Sequence, residues 1–420
     1  MGMQIRKLET WQELLDADRL IATAFLHPWD EEAARGQRVA EAEGRRERTD
    51  EVWGDFDELG CMRTAISTKR MDVAFHYGFV PAGEFDMVGS LPEYRGAGNV
   101  RAMFGQVLRD FRARGDVFAL LIPFSFAFYR KFGFEVCARN LEQRIPIGQL
   151  SPFRCECAVR QVSSAEDVPA LRSLYEAFAL GRNLMPRRGD ADWAWHGSGE
   201  FGERGWFTRD KRRYTYLFGE GEPGSGEVST PHGYLKFFFE TGAAGPFIGT
   251  MRVEDMVYDS PATLRSILGF IYGMRAKLVD VVVECELVVD LALLVPEVEK
   301  VQSKVGGHFM ARTMDVARVL QAMGYPREAG RFSVWVGDDF LPENTGRYDV
   351  TFADGRATAV DFSTGVSSDA ADLVVDVRTF TQLAVGLIDL RAAELRESTA
   401  VNANRGTLER IFVRKPVCIG

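Results

Sequence analysis

The sequence predicts an α+β protein built from more than one domain. A chain of 420 residues is longer than one hydrophobic core usually organises, and usual domain sizes give two or three domains. Helical and strand-like patterns alternate along the chain, which is typical of mixed sheets covered by helices. The chain has enough hydrophobic side chains to form more than one core, because 46% of its residues are hydrophobic and 30 residues are Phe.

The charge balance narrows the choice of partners. A formal net charge of −9 argues against general binding of nucleic acid or of an anionic membrane surface, and it is compatible with cationic substrates such as amines. The first ten residues lack the apolar core of a signal peptide, and no run of about 18 apolar residues could span a bilayer. The chain is therefore expected to be cytosolic.

Cysteine and histidine are sparse and scattered. Cys155 and Cys157 form a Cys-x-Cys pair, but the other four cysteines and the five histidines lack the spacing of metal ligands. No pattern of a catalytic triad is present. We expect these residues to be structural, with no disulfide framework and no metal.

A glycine-bearing turn between a strand and a helix is the most informative stretch. Residues 85–88 predict a strand, and the run Leu91-Pro92-Glu93-Tyr94-Arg95-Gly96-Ala97-Gly98-Asn99-Val100 follows it. The next residues predict an amphipathic helix, because apolar side chains recur at the spacing of one buried face: Val100, Met103, Phe104, Val107, Leu108 and Phe111. Gly115 follows the last turn, where a left-handed cap is expected.

This turn has the components of an anion-binding site, because it directs backbone N–H groups and a helix N-terminus at one point. Arg95 adds positive charge, and Gly96 and Gly98 lack the Cβ that would hold a ligand away. No Lys-Ser/Thr follows the glycines, and the three-glycine dinucleotide fingerprint is missing too. The stretch predicts a pyrophosphate cradle, and a glycine-rich turn without a ligand is the alternative.

An aromatic segment follows downstream. Residues 118–122 predict a buried strand that Pro123 breaks, and Phe124-Ser125-Phe126-Ala127-Phe128-Tyr129-Arg130-Lys131-Phe132-Gly133-Phe134 comes next. The two motifs resemble the Arg-x-x-Gly-x-Gly/Ala acyl-CoA loop and the Phe-Tyr-x-x-x-Gly-Phe element of the GNAT acetyltransferase superfamily. Val100 departs from the loop pattern, because a small residue usually stands there.

The GNAT resemblance implies a role for each part of this region. Acetyl-CoA would lie against the strand at Met87 and Val88, and its pyrophosphate would be held by the loop residues Arg95, Gly96, Ala97, Gly98, Asn99 and Val100. Tyr129 would lie beside the thioester sulfur and protonate the departing thiolate as general acid. A tyrosine that only packs in an aromatic cluster is the alternative.

Residues 151 to about 300 repeat the mixed order of helices and strands. Strand-like residues 154–161 precede a predicted helix at 165–178, and a Gly-rich turn separates the two strands of a predicted hairpin, 214–218 and 234–239. A helix at 261–278 and a strand at 281–285 follow. No equivalent of the Arg95 loop is present, so we expect a second, catalytically silent copy of the first fold.

The third region opens with Phe-Met-Ala-Arg-Thr-Met-Asp-Val at 309–316. Four predicted strands follow, at 332–336, 348–352, 357–362 and 373–377, and the region ends in helices. Acidic residues outnumber basic ones between positions 338 and 376, which we interpret as solvated turns and strand faces.

The order of these parts resembles the enhanced intracellular survival family of bacterial acetyltransferases, through the Phe-Tyr-Arg-Lys-Phe-Gly-Phe element, the silent second domain and the Met-Ala-Arg-x-x-Asp-Val motif. The resemblance implies an α+β chain with two tandem GNAT-like mixed-sheet domains, at 1–150 and 151–300, and a sterol-carrier-protein-like α+β domain at 301–420. It also implies acetyl-CoA-dependent transfer to primary amines, including aminoglycosides in some members, and hexameric assembly.

Removal of the amine proton is the least determined step. The family often ends in an aromatic residue whose α-carboxylate enters the first domain's active site as the base, whereas this sequence ends in Gly420. Either Gly420 supplies the carboxylate, or final residues have been lost, or another base acts. Phe25, Trp29 and Asp30 are candidates for the amine pocket, and core packing of Phe25 and Trp29 is the alternative.

A function of another class is a small-molecule or lipid carrier that uses the C-terminal domain and keeps a vestigial acetyltransferase module. The enzyme is favoured over the carrier because the motif residues are intact: Arg95, Gly96, Gly98 and Tyr129. In a module that had lost its activity, sequence drift would replace the glycines early.

Overall fold

The computed structural model describes residues 4–42, 50–190, 192–193, 207–208, 211–241, 248–286 and 289–418. The chain forms two compact units. The first comprises Met1–Cys137 with His308–Lys415, and the second comprises Ala138–Gly307 with Pro416–Gly420. The N-terminal region and most of the C-terminal region therefore belong to one unit, while the three-domain division with limits near 150 and 300 stays a prediction.

The strands are numbered in chain order over the described residues. They are β1 Gln4–Lys7, β2 Asp50–Phe56, β3 Met62–Phe75, β4 Gly78–Ser90, β5 Phe118–Leu121, β6 Glu135–Pro146, β7 Ala158–Gln161, β8 Phe207–Thr208, β9 Lys211–Gly219, β10 Pro231–Thr241, β11 Gly249–Tyr258, β12 Leu278–Glu286, β13 Gln302–Thr313, β14 Gly330–Gly337, β15 Gly346–Ala353, β16 Arg356–Ser363, β17 Leu373–Asp376 and β18 Ala400–Val401.

The α-helices are numbered in the same way. They are α1 Trp11–Ala24, α2 Glu31–Ala42, α3 Asn99–Ala113, α4 Phe126–Arg130, α5 Val168–Leu180, α6 Pro261–Gly273, α7 Val316–Ala322, α8 Val377–Val385, α9 Leu390–Ala393 and α10 Arg405–Ile411. Within the described part of the chain, no helix has the length and apolar character needed to cross a membrane.

The first sheet of the first unit is mixed and has helices on both faces. Its strands run in the order β1-β2-β3-β4-β5-β13, antiparallel except for the parallel pair β4–β5. Neighbouring residues along β2 point to opposite faces, so Trp53 packs in the core with α3 while Val52 packs in the core with α1. The helix predicted after the glycine loop is confirmed as α3, whose apolar face is buried.

The second sheet of the first unit is built from the C-terminal region. Its order is β16-β15-β14-β17-β18, and only β14 and β17 are parallel neighbours. The four strands predicted in this region are confirmed as β14 to β17, each within three residues at either end. Alternate residues of β14 and β15 are buried, which is the pattern of a sheet with one face against a core.

Five strands of the second unit lie side by side. Their order across the sheet is β7-β9-β10-β11-β12. β12 also pairs antiparallel with residues 140–146 of β6. The predicted hairpin is confirmed as β9 and β10. The predicted helix at 261–278 is shorter than expected, because α6 ends at Gly273 and a 3-10 turn at Arg275–Lys277 leads into β12.

The turn between β3 and β4 packs onto the C-terminal region of the same unit through His76. Its Nδ1 accepts hydrogen bonds from Gly324 N–H (2.8 Å) and from Lys415 Nζ (2.6 Å), and its Nε2–H donates to Ala384 O (3.2 Å). Burial, with a smaller contribution from the Lys415 charge, lowers the pKa of His76 to about 4. The imidazole is therefore neutral at pH 7.

We expect His76 to make folding stability fall with acid. Its pKa in the folded protein lies below the unfolded value of about 6.5, so the stabilisation is present above pH 6.5 and is lost as the pH falls toward 4. A shift of this size is worth about 3 kcal/mol. Urea unfolding of wild type and His76→Asn at pH 7 and pH 4 measures it, since asparagine tolerates the positive φ of 53° at this turn. Parallel loss in both proteins would contradict the assignment.

Candidate active site

β4 and β5 separate at one end of the sheet. They are parallel neighbours as far as Phe85 and Leu121. At Asp86 the pairing of β4 with β3 shifts by one residue, and such a bulge bends a strand. Met87 and Val88 resume the pairing with β3, whereas β5 ends at Leu121. Within the described residues no strand covers the far edge of β4 there, so its backbone groups can bind an extended ligand.

The loop after β4 presents backbone N–H groups to open space. Gly96 and Gly98 have φ values of +84° and +85°, which glycine adopts without strain, and a Cβ at either position would meet no atom within 4 Å. α3 begins at Asn99, and Ala102 N–H donates the first intrahelical bond to Gly98 O (3.1 Å). The N–H groups of Asn99 and Val100 precede that bond and point out of the positive end of the helix.

Asn99 adds a side-chain donor that the sequence did not indicate, because the loop motif involves only its backbone. The residue is 5% exposed, and its Nδ2 has no hydrogen-bond partner among the residues that the structure describes. A buried donor left unpaired costs about 1–3 kcal/mol.

Arg95 holds the loop against the first helix. Its Nη2 donates to Ala24 O (3.1 Å) and its Nε to Ser90 O (3.4 Å), so the cation meets the negative end of α1. The Arg95 backbone N–H donates to Pro92 O (3.3 Å). Among the described loop residues, the N–H groups that no backbone carbonyl accepts therefore begin at Gly96 and continue through the exposed Ala97, and the part that Arg95 takes in holding a pyrophosphate stays a prediction.

Tyr129 lies in the one-turn helix α4, which Ser125 caps by accepting a hydrogen bond from Phe128 N–H (3.4 Å). The tyrosine is 4% exposed and lies among the rings of Phe104, Phe124, Phe128 and Phe134, with centroids 5.2 to 6.4 Å away. No described residue forms a hydrogen bond with its hydroxyl. Burial raises the pKa of Tyr129 to about 12, so the hydroxyl keeps its proton at neutral pH.

The strand edge, the start of α3 and Tyr129 share one buried cluster. Phe85 and Phe104 stack with centroids 4.3 Å apart, and Tyr129 belongs to the same core. Val88 and Val100 pack against it. The structure therefore brings the strand edge, the loop and the tyrosine together.

The proposed amine-pocket residues lie where α1 ends. Phe25 directly follows α1 and is 45% exposed, so it is not a core residue, while Trp29 is half-buried. Asp30 accepts a hydrogen bond from Ala33 N–H (3.0 Å) and caps α2. Because Arg95 binds the carbonyl of the residue before Phe25, the end of α1 is fixed beside the glycine loop.

Two exposed apolar residues after β5 were not assigned from the sequence. Ile122 is 63% exposed and Phe124 is 74% exposed, and the Phe124 ring contacts Tyr129 edge-on at 5.4 Å. Pro123 was the available signal, because it ends the strand and leaves the aromatic side chain outside the core. Phe124 therefore lies against Tyr129 and is open to solvent.

The C-terminal segment is described as far as Cys418. In the second unit, Asn183 N–H donates to Pro416 O (2.8 Å) and Cys418 N–H donates to Asn183 O (3.1 Å), which forms a short bridge. Gly420, predicted to supply the base, lies outside the described residues.

Two sequence families match the chain. Residues 4–137 match the acetyltransferase (GNAT) domain, and residues 316–419 match the sterol carrier protein domain. The first match contains the open strand edge, the glycine loop and Tyr129. The chain therefore carries an acetyltransferase (GNAT) domain at residues 4–137 and a sterol carrier protein domain at residues 316–419.

Solved structures resemble the chain over almost its whole length. Eis1 from Mycobacterium abscessus matches with 18% identity and a TM-score of 0.76, over 99% of this chain and 98% of that one. A GCN5-related N-acetyltransferase from Anabaena variabilis matches with 21% identity and a TM-score of 0.79, and a probable N-acyltransferase from Enterococcus faecalis with 20% and 0.80, both with the same coverage. No curated protein sequence matches. The resemblance to the enhanced intracellular survival family is confirmed at the level of fold and domain order.

Metal ligands do not cluster in the described part of the chain. No group of three or more His, Cys, Asp or Glu side chains there is arranged to hold an ion.

Proposed function

We propose that the chain transfers the acetyl group of acetyl-CoA to a primary amine by direct attack on the thioester. The observation that carries this proposal is one buried cluster that joins the open edge of β4, the glycine loop and a protonated Tyr129. Each part of the site would serve a different part of acetyl-CoA. The open edge of β4 would bind the extended pantetheine arm, the glycine loop would bind the pyrophosphate, and Tyr129 would protonate the thiolate leaving group.

Acetyl-CoA would bind along β4 at Met87 and Val88, where backbone groups can pair with its amides. The backbone N–H groups from Gly96 to Val100 would hold the pyrophosphate. A backbone N–H near Val88 would polarise the thioester carbonyl and stabilise the oxyanion that forms on attack.

The reaction requires three proton movements. The amine nitrogen attacks the carbonyl carbon, the C–S bond breaks, and the thiolate takes the proton of Tyr129 Oη. The nitrogen, which carries a positive charge after the attack, then gives up a proton to become the amide, and that proton restores the tyrosine. A lysine-like amine has a pKa of about 10.4 and must lose a proton before it attacks. The exposed Phe25 and Phe124 and the half-buried Trp29 would border the amine pocket, with Asp30 at its edge.

The family resemblance implies a C-terminal α-carboxylate as the base, and the alternatives are that Gly420 supplies it, that final residues have been lost, or that another base acts. If Gly420 has this role, a short tag added after it should lower kcat by displacing the charge, because a positioned base contributes about 10²- to 10⁴-fold. Binding of acetyl-CoA should be unchanged, since the cradle lies in the first unit. Measurement of kcat and of acetyl-CoA affinity for tagged and untagged protein tests this. Full activity of the tagged protein would leave Asp30→Asn as the next variant to assay.

Isothermal titration with acetyl-CoA, followed by a screen of amines for CoA release, tests the proposed function. We expect saturable binding and turnover with at least one primary amine, lysine-like or aminoglycoside-like. The sterol carrier protein match at 316–419 supports one alternative, a lipid or small-molecule carrier with a vestigial acetyltransferase module. No heat with acetyl-CoA, together with a co-purified lipid, would favour that carrier.

We propose that the protein is cytosolic, as expected from its sequence, and that it forms a homohexamer, as the family resemblance implies. Sedimentation equilibrium of the purified chain tests the second point.

A further inference from the structure

A buried ion pair lies behind the proposed general acid. Arg312, the arginine of the Met-Ala-Arg-x-x-Asp-Val motif, is on β13 and donates through Nη2 to Asp338 Oδ2 (2.5 Å). Both side chains are 0% exposed. Removing two charges from water is expensive, and apolar residues of similar size often replace such pairs without loss of stability. The pair therefore calls for a role other than stability.

Asp338 is the centre of a hydrogen-bond network within the first unit. Its Oδ1 accepts from the N–H groups of Phe340 (3.1 Å) and Leu341 (3.0 Å). Its Oδ2 also accepts from Asn344 Nδ2 (3.0 Å), and Asn344 Oδ1 accepts from Arg112 of α3 (2.6 Å). The position of the carboxylate is thus set from several directions.

Arg312 connects this network to the turn that follows Tyr129. Its Nη1 donates to Phe132 O, and Phe132 N–H donates to Tyr129 O (2.9 Å). Gly133 has a φ of +82°, and a Cβ there would lie 1.8 Å from Arg312 Nη1. The guanidinium therefore occupies the space where any other residue would place its side chain.

An aromatic contact and a second ion pair act on the same turn. The ring of Phe340, two residues after Asp338, packs edge-on against Phe132 with centroids 5.3 Å apart. On the other side, Arg130 of α4 binds Glu135 of β6 with both an Nε and an Nη contact (2.7 to 3.1 Å). Tyr129 is thus held between these two fixed points.

We propose that Arg312 and Asp338 are positioning residues for Tyr129, so that the sterol-carrier-like region is a structural part of the acetyltransferase site. This inference rests on the proposed role of Tyr129 as general acid. The planar guanidinium can bind a carbonyl and a carboxylate at the same time, which the single ammonium of lysine cannot do in the same geometry. A displacement of about 1 Å at a reacting group can lower the rate 10²-fold.

The test compares the paired variant Arg312→Met/Asp338→Asn with Tyr129→Phe and with the combination of all three changes. Changing both partners avoids leaving one buried charge unpaired, and the asparagine that replaces Asp338 keeps an acceptor for the N–H groups of Phe340 and Leu341. We expect the paired variant to bind acetyl-CoA like wild type but to lose about 10- to 100-fold in kcat. In the triple variant kcat should equal that of Tyr129→Phe, because the pair acts only through the hydroxyl.

Arg347 and Asp349 provide the matched control. They form an ion pair in the same region (2.6 Å) that is partly exposed, and Arg347→Met/Asp349→Asn should keep the wild-type kcat. Gly133→Ala disturbs the contact between Arg312 and the turn at Gly133 while both charges of the ion pair are kept. It should lower kcat as the paired variant does. In a protein that already carries Tyr129→Phe, it should not lower kcat further. It replaces the paired variant if that protein does not fold.

Three results would overturn the proposal. They are wild-type kcat in the paired variant, losses that multiply with Tyr129→Phe, and an equal loss in the control pair. Wild-type turnover of Tyr129→Phe alone would instead refute the general acid, and the positioning role with it. Acetyl-CoA binding and transfer by wild type are measured first, so that failure of the proposed function is recognised separately.

Discussion

Replacement of Gly98 by glutamate is expected to abolish acetyl-CoA binding. The new side chain would enter the open space beside the N-terminus of α3, and its carboxylate would take the place of the pyrophosphate in front of the N–H groups. The φ of +85° adds strain of about 1–2 kcal/mol, which the whole fold can tolerate. We expect affinity to fall at least about 100-fold, equivalent to about 2.8 kcal/mol, by isothermal titration.

Gly60 offers a matched control for this substitution. It also has a left-handed φ, +80°, and a Cβ there would meet nothing within 4 Å, but it lies in the turn between β2 and β3. Gly60→Glu therefore introduces the same strain and the same charge away from the cradle. Unchanged affinity in Gly98→Glu, or an equal loss in Gly60→Glu, would remove the cradle assignment.

Local patterns predicted much of the fold. The apolar face of α3 can be predicted from the sequence because six apolar residues recur at helical spacing. The structure buries that face against the sheet. The strands of the C-terminal region alternate apolar and polar residues, and they form the second sheet. These elements depend on short-range periodicity, which a single sequence displays.

β3 is harder to detect because its pattern is broken. Residues 64–68 are buried in succession, and three of them, Thr64, Ser67 and Thr68, are polar. Their side chains bond within the sheet: Thr64 with Ser90, and Thr68 with the carbonyl of Glu51. Burial on both faces with polar side chains gives neither alternation nor an apolar run.

The candidate site also contains residues that local patterns predict and residues that they do not. The glycine loop and Tyr129 are contiguous motifs, so their types and spacing identify them. Arg312 contacts the turn after Tyr129 through Phe132 O, 180 residues earlier in the sequence, and Asp338 acts on that turn through Arg312. Such contacts depend on the packing of distant segments, and no local pattern in the sequence encodes them.

Replacement of Tyr129 by phenylalanine should separate catalysis from binding. The change removes only the hydroxyl, which no described residue binds, so neither the fold nor the acetyl-CoA cradle should be affected. We expect kcat to fall about 10²-fold, the lower end of what a positioned proton donor contributes. Steady-state kinetics with a fixed amine and titration with acetyl-CoA provide the two readouts.

Tyr325→Phe is the control that distinguishes loss of a donor from loss of a buried hydroxyl. Tyr325 is also buried, but its hydroxyl donates to Leu320 O (2.6 Å), so its removal should lower stability by about 1 kcal/mol and leave kcat unchanged. Tyr129→Phe should show the opposite pattern: lower kcat and unchanged stability.

Because the pKa of Tyr129 is about 12, its deprotonation cannot limit wild-type activity between pH 7 and 10, and the rate should rise with pH as the amine loses its proton. Wild-type turnover in Tyr129→Phe would reduce this tyrosine to a packing residue.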